Sequence, residues 1–234
     1  MNDRSVSLAV NAADAVVFDL FHTLTSVDSV RLWKRNTYDI LGITREVWFD
    51  RLFERSRERL IGRIKDPVEI MRSMAHAIDE SIPDEAIEVA ARNRLERFEN
   101  ALVNMPVSTI SVLGELKARK KKLGLISNAD ATEVAAWARS PVAHVFDSVV
   151  ISCDVGLAKP DRDIYMKCLG ELGVSPGRAV YVGDGGSGEL PAAREVGMTT
   201  VMMAGVIREM WPERIEPRLP YADFVIESLE ELLE

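Results

Sequence analysis

Short apolar runs that end in polar residues, with helical periodicity between them, limit what this chain can fold into more than any other feature of its sequence. The runs are Ala15 to Leu20, Leu123 to Ser127, Val145 to Ile151, Ala179 to Gly183, Thr199 to Met203 and Asp223 to Ile226. Each reads as a buried strand, and the patterns Ile110 to Lys121, Asp161 to Leu172 and Gly188 to Val196 read as helices between them. Strand and helix in alternation predict an α/β fold with a parallel sheet covered on both faces. Local punctuation agrees. Asp130 with Glu133 makes a capping box, Ser175-Pro176 is a helix-start pair, and Gly173 and Gly197 stand where helices should stop.

The alternation breaks between about Ser26 and Met105. That stretch is rich in Arg, Glu and Leu and carries long amphipathic patterns with no convincing strand, so an all-helical insertion is predicted there. The expected division is an α/β core from residues 1–25 and 106–234, interrupted by a helical domain at 26–105. A chain of 234 residues has room for both. Trp33, Trp48, Phe49, Leu52 and Phe53 are read first as core at helical spacing and second as the lining of a ligand pocket.

Composition narrows the function classes. Apolar residues at 47% and charged residues at 28% are an ordinary globular balance. A net charge of -8 argues against a non-specific nucleic-acid surface, which needs concentrated Lys and Arg. The basic run Lys117 to Lys122 reads as the solvated end of a helix, where the dipole favours cations. Cys153 and Cys168 lack the spacing of a disulfide framework or a zinc site. Met1 to Val10 has no leader pattern, and no apolar stretch reaches membrane-spanning length. The expectation is a compact, soluble protein in a reducing, cytoplasmic setting, a monomer or homodimer with neither nucleic-acid nor membrane partners.

In an open parallel sheet, ligands bind beyond the carboxyl ends of the strands, so the residues that finish each strand carry the information. The first strand ends in Asp19-Leu20-Phe21-His22-Thr23-Leu24 and the second in Ser127-Asn128. The third leads through Gly156 to Lys159-Pro160, and the fourth ends in Gly183-Asp184-Gly185-Gly186-Ser187-Gly188-Glu189. Singly, each has an ordinary explanation as a turn, a cap or a surface loop. Together, in this order and with a helical insertion directly after the first, they resemble the four-motif signature of the haloacid dehalogenase superfamily over about Val16 to Met203.

The resemblance implies a Rossmann-like core with an all-α cap and a hydrolase that works through an aspartyl ester. Asp19 would be the nucleophile, Lys159 would steady it and a negative substrate, and Thr23 would orient the nucleophile loop. Ser127, Asn128 and Lys159 would bind substrate oxygens. Mg²⁺ would be held by Asp19, the carbonyl of Phe21 and Asp184, with Glu189 binding a metal-bound water or holding Lys159.

Two positions pull apart. Phosphatases of the superfamily usually carry a second Asp two residues after the nucleophile as general acid, and this chain has Phe21 there. Loss of such an acid is expected to remove roughly 10²- to 10⁴-fold of rate unless another group, such as His22, supplies the proton. An aromatic at that position, and Tyr165 six residues after Lys159, match the metal-independent 2-haloacid dehalogenases instead. Asp184 matches the phosphatases. The leading expectation is a Mg²⁺-dependent phosphatase of a small anionic metabolite. The alternatives are a dehalogenase and a catalytically weak binding protein.

Overall fold

The computed structural model describes residues 5–27, 35–52, 54 and 56–234. Helix α1 (Val6–Ala12) leads into strand β1 (Ala15–Phe18), and helices α2 (Thr37–Leu41), α3 (Arg45–Arg51), α4 (Arg57–Leu60), α5 (Pro67–His76) and α6 (Asp84–Val103) follow. Helix α7 (Val107–Ala118) then brings the chain to strand β2 (Lys122–Ser127), short helix α8 (Ala131–Val134), strand β3 (Ser148–Ile151) and short helix α9 (Ser152–Val155). Helix α10 (Arg162–Leu172), strand β4 (Ala179–Gly183), helix α11 (Glu189–Val196), strand β5 (Thr199–Met203), helix α12 (Gly205–Met210) and strand β6 (Phe224–Ile226) complete it.

The strands form one sheet in the order β3-β2-β1-β4-β5-β6, every neighbouring pair parallel. This is the doubly wound order, which reverses direction beside β1 and leaves a crevice between the ends of β1 and β4. Strand β1 is central, and the period of two sorts its side chains. Val16 and Phe18 join one apolar cluster with Val10, Val112, Leu113 and Leu116, whereas Ala15 and Val17 join another with Ile164, Leu169 and Leu190. Both faces are therefore closed by helices, as the sequence pattern predicts.

Boundaries follow local chemistry. Asp130 and Glu133 do form a capping box, and Gly156, Gly173 and Gly197 take left-handed φ at helix ends. The predicted strand from Val145 begins only at Ser148, because Ala143–Val145 turns as a 3-10 helix. The basic run does stand at the end of α7, and none of its cations is buried. Lys121 Nζ donates to the carbonyls of Asn11 in the last turn of α1 and of Ala13 just after it, and Lys122 Nζ donates to that of Leu172 at the end of α10, so these cations cap neighbouring helices.

Between Thr37 and Val103 the described residues form helices with no strand. They have their own apolar cluster around Leu41, Trp48, Ile70, Met71, Met74 and Ile87. Trp48, Phe49 and Leu52 belong to or pack on it, while Trp33 and Phe53 lie outside the described residues. No described helix is long and apolar enough to cross a membrane. Both cysteines are buried and free.

Gly124 shows how tightly α10 lies on the sheet. A Cβ there would stand 2.7 Å from Cys168 Sγ and 3.1 Å from Leu172 Cδ1. Gly124→Ala is expected to destabilise the protein by about 1–3 kcal/mol through overpacking. Urea unfolding should show a lower midpoint at unchanged slope. A midpoint equal to the parent's would refute the close packing.

Candidate active site

The end of β1 delivers Asp19 to the crevice, where its N–H donates to the carbonyl of Val182 in β4 (2.9 Å). Asp19 is 6% exposed. Oδ1 accepts from Lys159 Nζ at 2.5 Å and Oδ2 from Thr23 Oγ1 at 3.3 Å. Burial pushes the Asp19 carboxyl up to about 7 in spite of the Lys159 charge beside it.

Lys159 is buried between acids. Its Nζ also donates to Glu189 Oε2 (2.5 Å) and to the Tyr181 hydroxyl (3.2 Å). Burial alone would depress the lysine, but the Asp19 and Glu189 carboxylates more than offset it and hold the ammonium above its ordinary range. Its backbone is fixed by Asn128, whose side-chain amide donates to the Lys159 carbonyl (2.8 Å) while its carbonyl accepts the Lys159 N–H (2.7 Å). Asn128, expected to bind substrate, is thus occupied in positioning the lysine.

Glu189 is likewise committed. Oε1 accepts the Gly185 N–H (2.8 Å) and Oε2 the Tyr181 hydroxyl (2.8 Å) besides Lys159, so of the two roles expected for it, holding the lysine is the one its bonds serve. The Tyr165 hydroxyl donates to the Glu189 carbonyl from beneath (3.1 Å). Gly183 makes the arrangement possible, since a Cβ there would collide with Glu189 Oε1.

Asp184 stands across the crevice, 8% exposed, with Oδ1 accepting the Gly186 N–H at 2.8 Å. Arg218 Nη1 donates to its carbonyl (2.6 Å) and lies 3.4 Å from Oδ2. Burial first, then the Glu189 charge, pushes the Asp184 carboxyl up to about 6. Asp19, Asp184 and Glu189 each offer an oxygen within 4.8 Å of the others. Three buried carboxylates face the cations Lys159 and Arg218, and oxygen donors with surplus negative charge fit a hard divalent cation.

The remaining expected residues also border this crevice. Ser127 ends β2, 1% exposed, and its hydroxyl has no hydrogen-bond partner among the described residues. His22 has φ of 62°, shares its Nδ1 with Ser26 Oγ (3.1 Å) and lies edge-on to Trp211 at 5.2 Å. The Phe21 ring packs edge-on against Phe98 of α6 at 5.0 Å, so the side chain is part of an apolar wall. All of these except Thr23 line a single cavity of about 320 Å³ that reaches from Asp19 to Phe49, Leu52, Arg59 and Arg94 in the helical segment. Sequence reasoning missed Arg218, Tyr181, Arg59 and Arg94. Of these, only Tyr181 left a trace, as a hydroxyl inside an apolar strand.

Comparison with known proteins agrees with this geometry. The family described as haloacid dehalogenase-like hydrolase matches residues 13–197. The chain is 33% identical over 138 residues to a glyceraldehyde 3-phosphate phosphatase of Methanocaldococcus jannaschii, covering 57% of either protein. It is 28% identical over 176 residues to a phosphoserine phosphatase of Thermus thermophilus, covering 71% of each. The first match thus spans little more than half of that relative's length. Among solved structures, an L-2-haloacid dehalogenase from Xanthobacter autotrophicus matches with a TM-score of 0.61 at 22% identity, over 94% of this chain and 97% of its own. Another, described as a dehalogenase, reaches 0.67 at 22% identity, over 94% and 96%. At that identity the likeness is one of fold. The family match takes in the whole Asp19, Ser127, Lys159 and Asp184 constellation, and the chain belongs to the haloacid dehalogenase-like hydrolases.

Proposed function

We propose that this hydrolase is a Mg²⁺-dependent phosphatase of small phosphorylated metabolites, with Asp19 as nucleophile and the helices between residues 26 and 105 as its cap domain. The buried cluster of Asp19, Asp184 and Glu189 carries the reading. Halide displacement from carbon has no evident need for that surplus of negative charge, whereas a phosphatase needs a cation beside its nucleophile. The sequence relatives named as phosphatases support it.

Mg²⁺, when bound by Asp19, Asp184 and the Phe21 carbonyl, supplies charge compensation for the phosphoryl oxygens. The chain's own groups do the rest. An Asp19 oxygen attacks phosphorus in line as the bond to the leaving oxygen breaks, giving an aspartyl phosphate. Lys159 keeps Asp19 in place and its charge offsets that of the phosphoryl oxygens, Glu189 and Asn128 hold Lys159, and the Ser127 hydroxyl, unpaired among the described residues, donates to the substrate. Water then attacks the aspartyl phosphate, which releases inorganic phosphate and restores Asp19. Phe21 leaves no carboxyl at the usual acid position, so substrates with weakly basic leaving groups should turn over best.

The expected result is phosphate release from a panel of phosphorylated metabolites in Mg²⁺ that stops in EDTA. Halide release from 2-haloacids in EDTA would instead identify a dehalogenase, the reading that Phe21 favours. Failure of both would leave a binding protein.

A further inference from the structure

Arg59 of α4 lines the same cavity as Asp19 and is 4% exposed. Its Nη2 donates to the Leu52 carbonyl at 2.7 Å. Its Nε stands 3.7 Å from Asp130 Oδ2, an ion pair beyond hydrogen-bond range, and neither Nε nor Nη1 has an acceptor among the described residues. Neighbouring Arg94 is the opposite case, donating to Asp130 Oδ1 at 3.0 Å and to Glu133 Oε1 at 2.7 Å. Asp130 thus gives Oδ1 to Arg94 and leaves Oδ2 short of hydrogen-bond range from Arg59 Nε, while Arg59 Nη1 has no acceptor at all among the described residues. A buried guanidinium with idle N–H groups on a pocket wall is an incomplete site, because buried donors in native structures are ordinarily satisfied.

We infer that the substrate carries a carboxylate in addition to its phosphate ester, and that Arg59 receives that carboxylate. The inference rests on the phosphatase reading for the phosphate end and on Arg59 for the other. Guanidinium is the side chain best suited to a carboxylate in a desolvated setting. The charge balance favours a monoanion over a second phosphate. Arg59 and Arg94 stand against the carboxylates of Asp130 and Glu133, two cations facing two acids, so the cluster has little positive charge to spare for a dianion. The apolar wall of Phe21, Phe49, Leu52 and Phe98 would cover the carbon chain between the two ends.

Arg59 is a specificity residue on this account, and binding tests it without turnover. Calorimetry in Mg²⁺ would compare phosphonoacetate, 3-phosphonopropionate and 4-phosphonobutanoate with ethyl-, propyl- and butylphosphonate of matching length. One acid should bind at least about tenfold more tightly than its alkyl partner. That ratio should fall to within about twofold in Arg59→Met and be partly kept in Arg59→Lys, which retains the charge without the planar fork. Should Arg59→Met not fold, the lysine variant and the length profile of the parent still decide. Equal binding of acids and alkyl partners at every length, or an acid preference unchanged in both variants, would overturn the inference. Phosphate release measured in parallel separates the two claims. Release without any acid preference sinks the carboxylate site alone, an Arg59-dependent acid preference without release sinks the phosphatase reading alone, and failure of every phosphonate to bind overturns both.

Discussion

Asp19→Asn is expected to lower kcat/KM by at least about 10⁴-fold while leaving the fold intact. An amide cannot form the aspartyl ester, and no other carboxylate is free to replace it, since Glu189 is tied to Lys159, Tyr181 and Gly185 and Asp184 to Gly186. Stability should not suffer. Burial raises the Asp19 carboxyl from 3.8 to about 7, so in metal-free protein the folded state holds its proton more tightly than the unfolded chain does. The native state then binds the extra proton between those values, and stability falls as pH rises through that window. Asparagine has no charge to desolvate. Thermal melts in EDTA should therefore place the variant at or above the parent at pH 7.5 and bring the two together near pH 4. Turnover within tenfold of the parent, with reversion to Asp excluded by mass spectrometry, would sink the covalent mechanism.

Lys159→Met should be the most damaging change to the site as a whole. It removes the ammonium shared by Asp19 and Glu189, which stand within 2.5 Å of it, and leaves two buried carboxylates facing one another. Breaking a buried pair by removing one partner costs about 3–5 kcal/mol, because the remaining charge has no solvent. The loss should be larger at pH 8 than at pH 5.5, since protonation of the stranded carboxyls relieves it. Adding Glu189→Gln should recover part of the stability and none of the activity. Activity itself should drop at least about 10³-fold, because the cation that offsets transition-state charge is gone. Urea melts at both pH values decide the matter, and a pH-independent loss below about 1 kcal/mol would mean that the lysine is not compensating buried charge.

The sheet was legible because its signal is local. Ala179–Gly183 and Thr199–Met203 were found to the residue from unbroken apolar runs, and Gly173 and Gly197 marked helix ends because φ there is left-handed. The motif residues could be grouped before their contacts were known, since all strands of a parallel sheet end on the same side. What was not legible depends on partners far along the chain. Asn128 looks locally like a cap or a substrate ligand, yet both ends of its amide go to the backbone of Lys159. Arg218 sits in a turn between the 3-10 helices Pro212–Arg214 and Leu219–Tyr221 with no periodicity to announce it, 34 residues beyond the carboxylate it contacts. Nothing local sets Arg59 and Arg94 apart from the other arginines between residues 26 and 105, and only their burial does. Asp130 and Glu133 were visible as a cap, but their second use, binding Arg94, exists only once α6 packs against α8.

The bond between Asp19 and Lys159 closes a loop of 140 residues, and the one between Lys159 and Glu189 a further 30. A nascent chain thus makes Asp19 long before the cation that pairs with it, and that cation before the acid that fixes it. The helices from Thr37 to Val103 are synthesised in between. No fragment that ends before α11 can assemble these contacts, so they report that β1 to β4 have all been made rather than collapse of the first half of the chain.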